Sequence, residues 1–443
     1  LLLPLLGAAC AQPDPAVDAP GPACGNGILE AGEECDDGNL GNDDACLVSC
    51  YRPVRFVQSD PHVHSRGCRA PFTSPAELLR RLGDQGIELG AALVWGDGYQ
   101  EDRRMFTGED DPASGSGRIL HYDLEVSAFA AGRSGHLVAL GLRNLGFSPD
   151  PFRFPKSGLG IPGWAKAQDP RVVVGMAHGQ FWPASGFASP PVACCMPWEF
   201  PIQVARGSVS FLITERLGAG PPLDPGTWLL WRSLLNAGYR VAVIGGSDFP
   251  CIHKTIDATA PRTDAIVTGE LDYSAWLGAL RQGRVTVALD ARNRLNLRVA
   301  GTLIGGEVAA RAGQVLPVSV ESRAPGPVVV EVLINGEPAA VVALPGGSQV
   351  ATLRLAFEHS AWIAARTARA HTGAVYLVVD GRPIRGSAAD ACYLAGYARH
   401  LSGLVASGAI DLEEDTAEAL GAYEAARAEF EARAREAGGG ACL

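Results

Sequence analysis

Basic residues are in short supply: 37 Lys and Arg stand against 48 Asp and Glu, a formal net charge of -11 over 443 residues. Sequence-independent affinity for nucleic acid comes from clustered cations that neutralise phosphates, so this balance argues against a nucleic-acid partner. After the first ten residues no stretch reaches the ~18 consecutive apolar residues of a membrane span, and the mature chain is expected to carry no transmembrane helix. Nor does any motif recur with the period of roughly 20 to 50 residues that marks a repeat architecture. What is present points to a folded chain. Hydrophobic residues make up 47% and charged residues 19%, the opposite of the composition that prevents a core from forming. The length is a prior of about three domains at ~150 residues each, and the 54 Gly and 31 Pro predict many turns and short strands.

Cysteine usage sets the compartment. Four of the eleven Cys, Cys24, Cys35, Cys46 and Cys50, fall where no apolar core can form, which implies internal disulfides and oxidising surroundings. The short loops between them favour two bridges within their own module and leave three connectivities open. Residues 1–10, LLLPLLGAAC, form an apolar run that closes on small residues, like the end of a signal peptide. Leu6-Gly7-Ala8-Ala9-Cys10 resembles a bacterial lipobox, with Leu one place early, so Cys10 is either a lipid-anchor site or close to a plain cleavage point. An exported chain follows, either a cell-surface or periplasmic lipoprotein or a secreted protein. Residues 11–23 are a Pro- and Ala-rich tether. Residues 24–52, with CGNG, GEECDDGN and a closing Cys pair, resemble the myxobacterial-type cysteine-rich repeat. Their acidic residues Glu33, Glu34, Asp36, Asp37, Asp43 and Asp44 are suited to polar turns between disulfides, with Ca²⁺ binding as the alternative.

From residue 54 to 290 apolar β-like runs alternate with amphipathic helical ones. SPAELLRRLGDQG, for example, carries an N-cap at Ser74, Pro75 in the first turn, Glu77 at the third helical position and a terminal Gly. That order implies an α/β fold with its chemistry at the C-terminal ends of strands. Residues 291–385 read as short alternating strands of an antiparallel β-sandwich that supplies no ligands, with Trp362 anchoring it to the preceding domain. Residues 386–443 read as a C-terminal helical segment whose apolar face includes Leu412, Leu420, Tyr423 and Phe430.

The chemistry begins at Asp60-Pro61-His62-Val63-His64, where a strand ends. Residues i and i+2 of a strand project to one face, so His62 and His64 can reach one metal ion. Further polar residues sit at similar strand ends: Glu125 in YDLEVS, His136 in GHLVALGL, His178 in VVVGMAHG and Asp248 in VAVIGGSD. With the Leu234-to-Arg240 segment LLNAGYR, the Trp276-to-Arg284 segment, LINGE at 333–337 and SAWIAAR at 360–366, these words resemble the PHP-like metallohydrolases, and most closely the CehA/McbA (carbaryl hydrolase) type. The resemblance spans residues 56–379. It implies a distorted α/β barrel with divalent metal at its mouth, two ions of Zn, Mn or Fe. His62, His64, Glu125 and Asp248 would hold one ion, and Glu125 would bridge to a second held by His178 and His136. The ion pair would lower the pKa of a shared water to give hydroxide, with Asp248 as proton acceptor and His178 the second catalytic residue.

Two departures from the classical PHP phosphoesterases stand out. Val94-Trp95-Gly96-Asp97-Gly98 replaces their T-D-H word, and His253 lies five residues beyond Asp248 rather than two. Asp97 and His253 are therefore second-tier candidates, with Asp60, which more often orients a ligand His than binds metal. Near the ligands only Arg66, Arg69 and Lys254 are basic, too few for a phosphate clamp, so the expected small-molecule substrate is an ester, carbamate or amide. A PHP-type phosphoesterase and a catalytically inactive surface-binding protein are the alternatives. The remaining polar residues have plainer readings. His121, His359 and His400 read as surface or helix-packing residues, His371 as a buried hydrogen-bonding residue and Glu199 as a solvated loop carboxylate. Cys68, Cys194, Cys195 and Cys251 read as disulfides.

Overall fold

In a computed structural model the chain divides into two units, Leu1–Pro53 and Val54–Leu443. The structure describes residues 24–442 apart from 31–32, 44, 116, 128–134, 147–154, 188–194, 217–219 and 258. The leader and lipobox with Cys10, the tether, Asp44 and Cys194 lie outside the described residues, as does the side chain of Asp97.

The first unit is held by Cys24–Cys50 and Cys35–Cys46, which selects one of the three connectivities. Asp36 organises the turns between them. Its carboxylate accepts the backbone N–H groups of Gly25, Asn26, Gly27 and Gly38 at 2.8–3.2 Å. The hydrogen bond from Gly38 leads the group that holds its pKa below the usual carboxylate range. These contacts favour the polar-turn reading of the acidic cluster, because Asp36 spends its oxygens on main-chain donors.

The second unit is built on a mixed sheet. Its first nine strands are β1 (Arg55–Val63), β2 (Leu89–Val94), β3 (Ile119–Val126), β4 (Leu137–Leu140), β5 (Val173–Met176), β6 (Phe211–Thr214), β7 (Ala242–Gly245), β8 (Arg262–Val267) and β9 (Val285–Ala288). They lie in the order β9-β8-β1-β2-β3-β4-β5-β6-β7. β1, β2 and β3 run parallel, as do β5, β6 and β7, and β4 turns back between the two runs. β2 to β7 are buried along their whole length, as the continuous apolar runs of a two-side-covered sheet require. The connecting helices are α1 (Pro75–Asp84), α2 (Tyr99–Asp102), α3 (Ile161–Gln168), α4 (Phe200–Ala205), α5 (Pro225–Asn236) and α6 (Tyr273–Gln282). Ser74 caps α1 by accepting the N–H of Glu77, and Leu78, Leu79 and Leu82 face the sheet.

β7 ends the ladder, and a regular closed barrel is not among the pairings of the described strands. The chain after β7 nevertheless returns to β1, through one parallel bridge between Val63 and Phe249 and a 2.7 Å hydrogen bond from His64 N to Phe249 O. Two glycines permit the approach. A Cβ on Gly246 would stand 2.9 Å from His62 Cβ, and one on Gly245 2.7 Å from the Arg262 carbonyl oxygen.

The strand-rich region is not a sandwich of two sheets of its own, because one of its layers is continuous with the mixed sheet. β10 (Arg294–Val299), β11 (Thr302–Leu303), β13 (Gln314–Ala324) and β16 (Gly347–Phe357) form a separate antiparallel sheet. The remaining strands, β12 (Glu307–Ala310), β14 (Val328–Ile334), β15 (Glu337–Leu344), β17 (Ala361–Arg366), β18 (Ala370–Thr372) and β19 (Val375–Val379), extend the mixed sheet through β18 paired to β9. This pairing covers an edge that would otherwise expose unpaired main-chain groups. Leu295, Leu297 and Val318 from one sheet share a core with Val332, Ile363 and Leu377 from the other, so the two-layer packing expected from the alternation is present. Trp362, fully buried, packs its ring 5.3 Å from Trp231 of α5 and donates to Asn236 Oδ1 at 2.7 Å.

The C-terminal helices α7 (Ala388–Ala406) and α8 (Thr416–Glu436) bury Leu412, Tyr423 and Phe430. Glu199 is the polar tie to them. It is not solvated: 1% exposed, it accepts Ser157 Oγ at 2.8 Å, Gly158 N at 2.7 Å and Tyr423 Oη at 2.6 Å. Burial pushes its pKa from 4.5 up to about 7 against these donors. The folded chain therefore holds a proton that the unfolded chain has lost, and the resulting stability falls as pH rises from 4.5 to about 7. The slope contributed by this one group is at most about 1.4 kcal/mol per pH unit. Thermal unfolding followed across that window should show this decline in the wild type and a flatter profile in Glu199→Gln.

Candidate metal centre

Four strand ends and the segment after β7 converge on one buried point. β1 delivers His62 in its last turn of pleat and His64 just beyond it, β3 delivers Glu125, His136 immediately precedes β4, His178 follows β5 and Asp248 follows β7. All six are at most 5% exposed. His178 and Asp248 hold left-handed backbones, with φ of 68° and 46°, a conformation costly for residues with a Cβ and concentrated at functional sites.

The donor atoms form two adjoining groups. His62 Nε2 and His64 Nε2 each lie 3.2 Å from Glu125 Oε2, and 3.5 and 3.1 Å from Asp248 Oδ1. On the other side Glu125 Oε1 lies 2.5 Å from His136 Nδ1, which is 2.9 Å from His178 Nε2. Glu125 thus presents one oxygen to each group. The far nitrogens fix the rings: His64 Nδ1 donates to Leu93 O at 2.9 Å and His62 Nδ1 to Glu215 Oε1 at 2.9 Å. With those protons outward, Nε2 of each neutral ring points a lone pair at carboxylate oxygens that also carry only lone pairs. Such an arrangement needs positive charge in its midst, which either protons or metal ions supply.

In the metal-free chain the imidazoles carry it. Burial opposes charge on His62, but Asp248 and Glu125 outweigh it and hold the pKa well above the ordinary value. The same balance, through hydrogen bonds to Asp248 and Glu125, places His64 at about 9. His178 is also raised, by Glu215 against burial, whereas burial keeps His136 low. Against their own burial, Glu125 is held well below the usual range by His136 and His62, and Glu215 at about 2 by His178 and His62. A divalent cation would displace these protons and leave neutral imidazoles as ligands. The residues fit such an ion. His62, His64 and Asp248 offer atoms within 4.8 Å of one another, as do His62, Glu125 and His178. Imidazole and carboxylate donors together suit Zn, Mn or Fe. Cys195 Sγ lies within the same range of His136 and His178 but is disulfide-bonded, so it is no thiolate ligand.

Among the second-tier residues, Asp60 stands behind the cluster. Its Oδ1 accepts the N–H of His62 at 3.1 Å and of Ser247 at 3.0 Å, fastening β1 to the segment that carries Asp248. His253 is turned away, its Nε2 2.6 Å from the Glu215 carbonyl oxygen. Sequence reasoning passed over Glu215. It follows the apolar run Phe211–Thr214 of β6, the same strand-end signal that marks Glu125 and His178, and it is fully buried. Its Oε1 accepts from His62 Nδ1 at 2.9 Å and its Oε2 accepts the backbone N–H of His178 at 3.1 Å while lying 3.3 Å from His178 Nδ1, so one carboxylate positions a histidine from each group. His121 and His371 are buried within strands, apart from the cluster. A cleft of about 970 Å³ lined by Asp290, Glu331, Arg366 and Arg369 contains none of the candidate ligands.

Fold and site together define an α/β protein with buried His/Glu/Asp clusters suited to metal. No family model matches the chain, and no curated protein matches it. Among solved structures, the solution NMR structure of the CARDB domain of PF1109 from Pyrococcus furiosus aligns with 19% of this chain and 95% of that one, at 19% identity and a TM-score of 0.15, too low to bear on the fold.

Glu215→Gln should retain the fold and lower metal affinity by about 10- to 100-fold, the usual cost of losing a group that orients a ligand. Competition with a chromophoric chelator measures it, and unchanged affinity would remove Glu215 from the site.

Proposed function

We propose that the chain is an exported metal-dependent hydrolase of the PHP-like CehA/McbA type, its β1–β9 region a distorted barrel with the metal centre at its mouth. The single observation that carries the reading is the outward donation of His62 Nδ1 and His64 Nδ1, which aims both Nε2 lone pairs at Glu125 and Asp248. Divalent cations bound there would supply Lewis acidity and an activated water near neutral pH. His62, His64, Glu125 and Asp248 would hold one such ion, and Glu125, His136 and His178 a second. The Asp248 carboxylate would be the group placed to accept a proton from that water. Glu215 and Asp60 keep the ligand-bearing segments in register.

A neutral ester, carbamate or amide suits the surroundings better than a phosphate. Arg66 is committed to Asp102 at 2.9 Å and lies over the Phe72 ring, and Lys254 Nζ donates to Pro250 O at 2.9 Å. A cavity of about 380 Å³ beside the segments that follow His64 and Asp248 has Pro71, Phe72, Phe249 and Pro250 on its walls together with Glu77, Arg81 and Lys254, a mixed lining with apolar surface for an aromatic group.

The test is a hydrolysis screen of aryl esters, carbamates and phosphoesters with metal-loaded and chelated protein. Activity confined to the loaded form, with turnover of the uncharged substrates, is the expected result. His178→Ala should abolish that activity while the unfolding temperature of the metal-free protein stays within a few degrees of wild type. A loaded protein that turns over no substrate leaves a surface-binding role.

A further inference from the structure

The two segments that bring His64 and Asp248 together come from strands with no regular ladder between them: the last residue of β1 makes one bridge to Phe249, four residues beyond the end of β7. Each segment carries a cysteine just beyond its ligand. Cys68 is four residues after His64, Cys251 three after Asp248, and the two are joined across a sequence separation of 183 with Cα atoms 5.2 Å apart. The turn containing Cys251 is locked onto Asp248 itself, because Cys251 N and Ile252 N both donate to Asp248 O, at 2.6 and 3.0 Å. On the other side Trp95 donates to Arg66 O at 3.0 Å and sets its ring 5.0 Å from that of His64. The covalent bond thus closes a short circuit that runs from His64 through Cys68 and Cys251 to Asp248. Cys68 is solvent-exposed and Cys251 half-buried, so a small reductant reaches the bond.

Resting on the metal reading above, we propose that the Cys68–Cys251 disulfide is a positioning element of the metal centre, which keeps its full affinity only while that bond is closed. An external dithiol opens it by thiolate attack on one sulfur, after which the second thiolate of the reagent displaces the mixed disulfide. Two electrons and two protons pass to Cys68 and Cys251, which become thiols, and the reagent becomes a cyclic disulfide. Asp248 then depends for its place on the Phe249 bridge and the hydrogen bond from Ser247 N to Asp60, neither of which reaches past residue 249, and its carboxylate drifts from the imidazoles.

The experiment compares the full chain with C68S/C251S and with C392S/C442S, which removes the bond between α7 and the C-terminal residues instead. Zn²⁺ affinity is read by chelator competition, and hydrogen exchange of the metal-free proteins reports on residues 62–68 and 247–252. The expected result is at least a tenfold loss of Zn²⁺ affinity and faster exchange in those two segments for C68S/C251S, with both readouts at wild-type level in C392S/C442S. Affinity within twofold of wild type in C68S/C251S overturns the proposal, as does an equal loss in both variants. Absence of Zn²⁺ binding by the wild type sinks the metal reading, and with it the claim about affinity, whereas the exchange data still judge the clamp on their own. If C68S/C251S does not fold, wild type opened with dithiol and desalted before Zn²⁺ is added gives the same comparison.

Discussion

Glu125 carries opposite relationships on its two oxygens, and the rest of the site is arranged around that fact. One oxygen faces His62 and His64, the other faces His136, and none of this is stable in a water-free interior unless cations lie between the lone pairs. Buried charge of one sign must be matched locally. The raised imidazoles and depressed carboxylates of the metal-free chain are the same requirement met with protons. A fold that concentrates so much polarity at fully buried strand ends gives up stability that apolar packing would have provided.

The scaffold supplies the compensation. Apolar strands bury both faces beneath the cluster, and the ligands extend from their ends, where side chains can meet without interrupting the ladder. Behind the ligands a further ring of contacts, Asp60 to Ser247, Glu215 to two histidines and His64 to Leu93, fixes main chain and ring orientation. Precision is therefore distributed between strands that cannot slide and hydrogen bonds that cannot swivel.

Much of this was legible locally. The period of a strand puts His62 and His64 on one face, and an apolar run that stops at a polar residue marks Glu125, His178 and Asp248 without any knowledge of the partner strands. Glu215 gives the same signal in FLITE and was missed because no motif word drew attention to it. Other features had no local mark. The pairing of β18 with β9 joins two short strands some 80 residues apart in sequence by main-chain register, which composition does not encode. Glu199 looked like a loop carboxylate because its burial depends on Tyr423, 224 residues away. The disulfide pattern of the first unit was open for the same reason: spacing limits which cysteines can meet but geometry chooses among them.

The paired glycines at the end of β7 act as a gauge. With no side chain at 245 or 246, the strand comes to rest against the main chain of Arg262 and the Cβ of His62, so the width of the cluster is set by the thickness of the polypeptide backbone, the least variable dimension a protein has. Rotamers can exchange and loops can vary while that width stays the same. A methyl group at 246 would be a shim, moving Asp248 outward from the histidines by a fraction of an ångström and widening the cluster with none of its own side chains replaced.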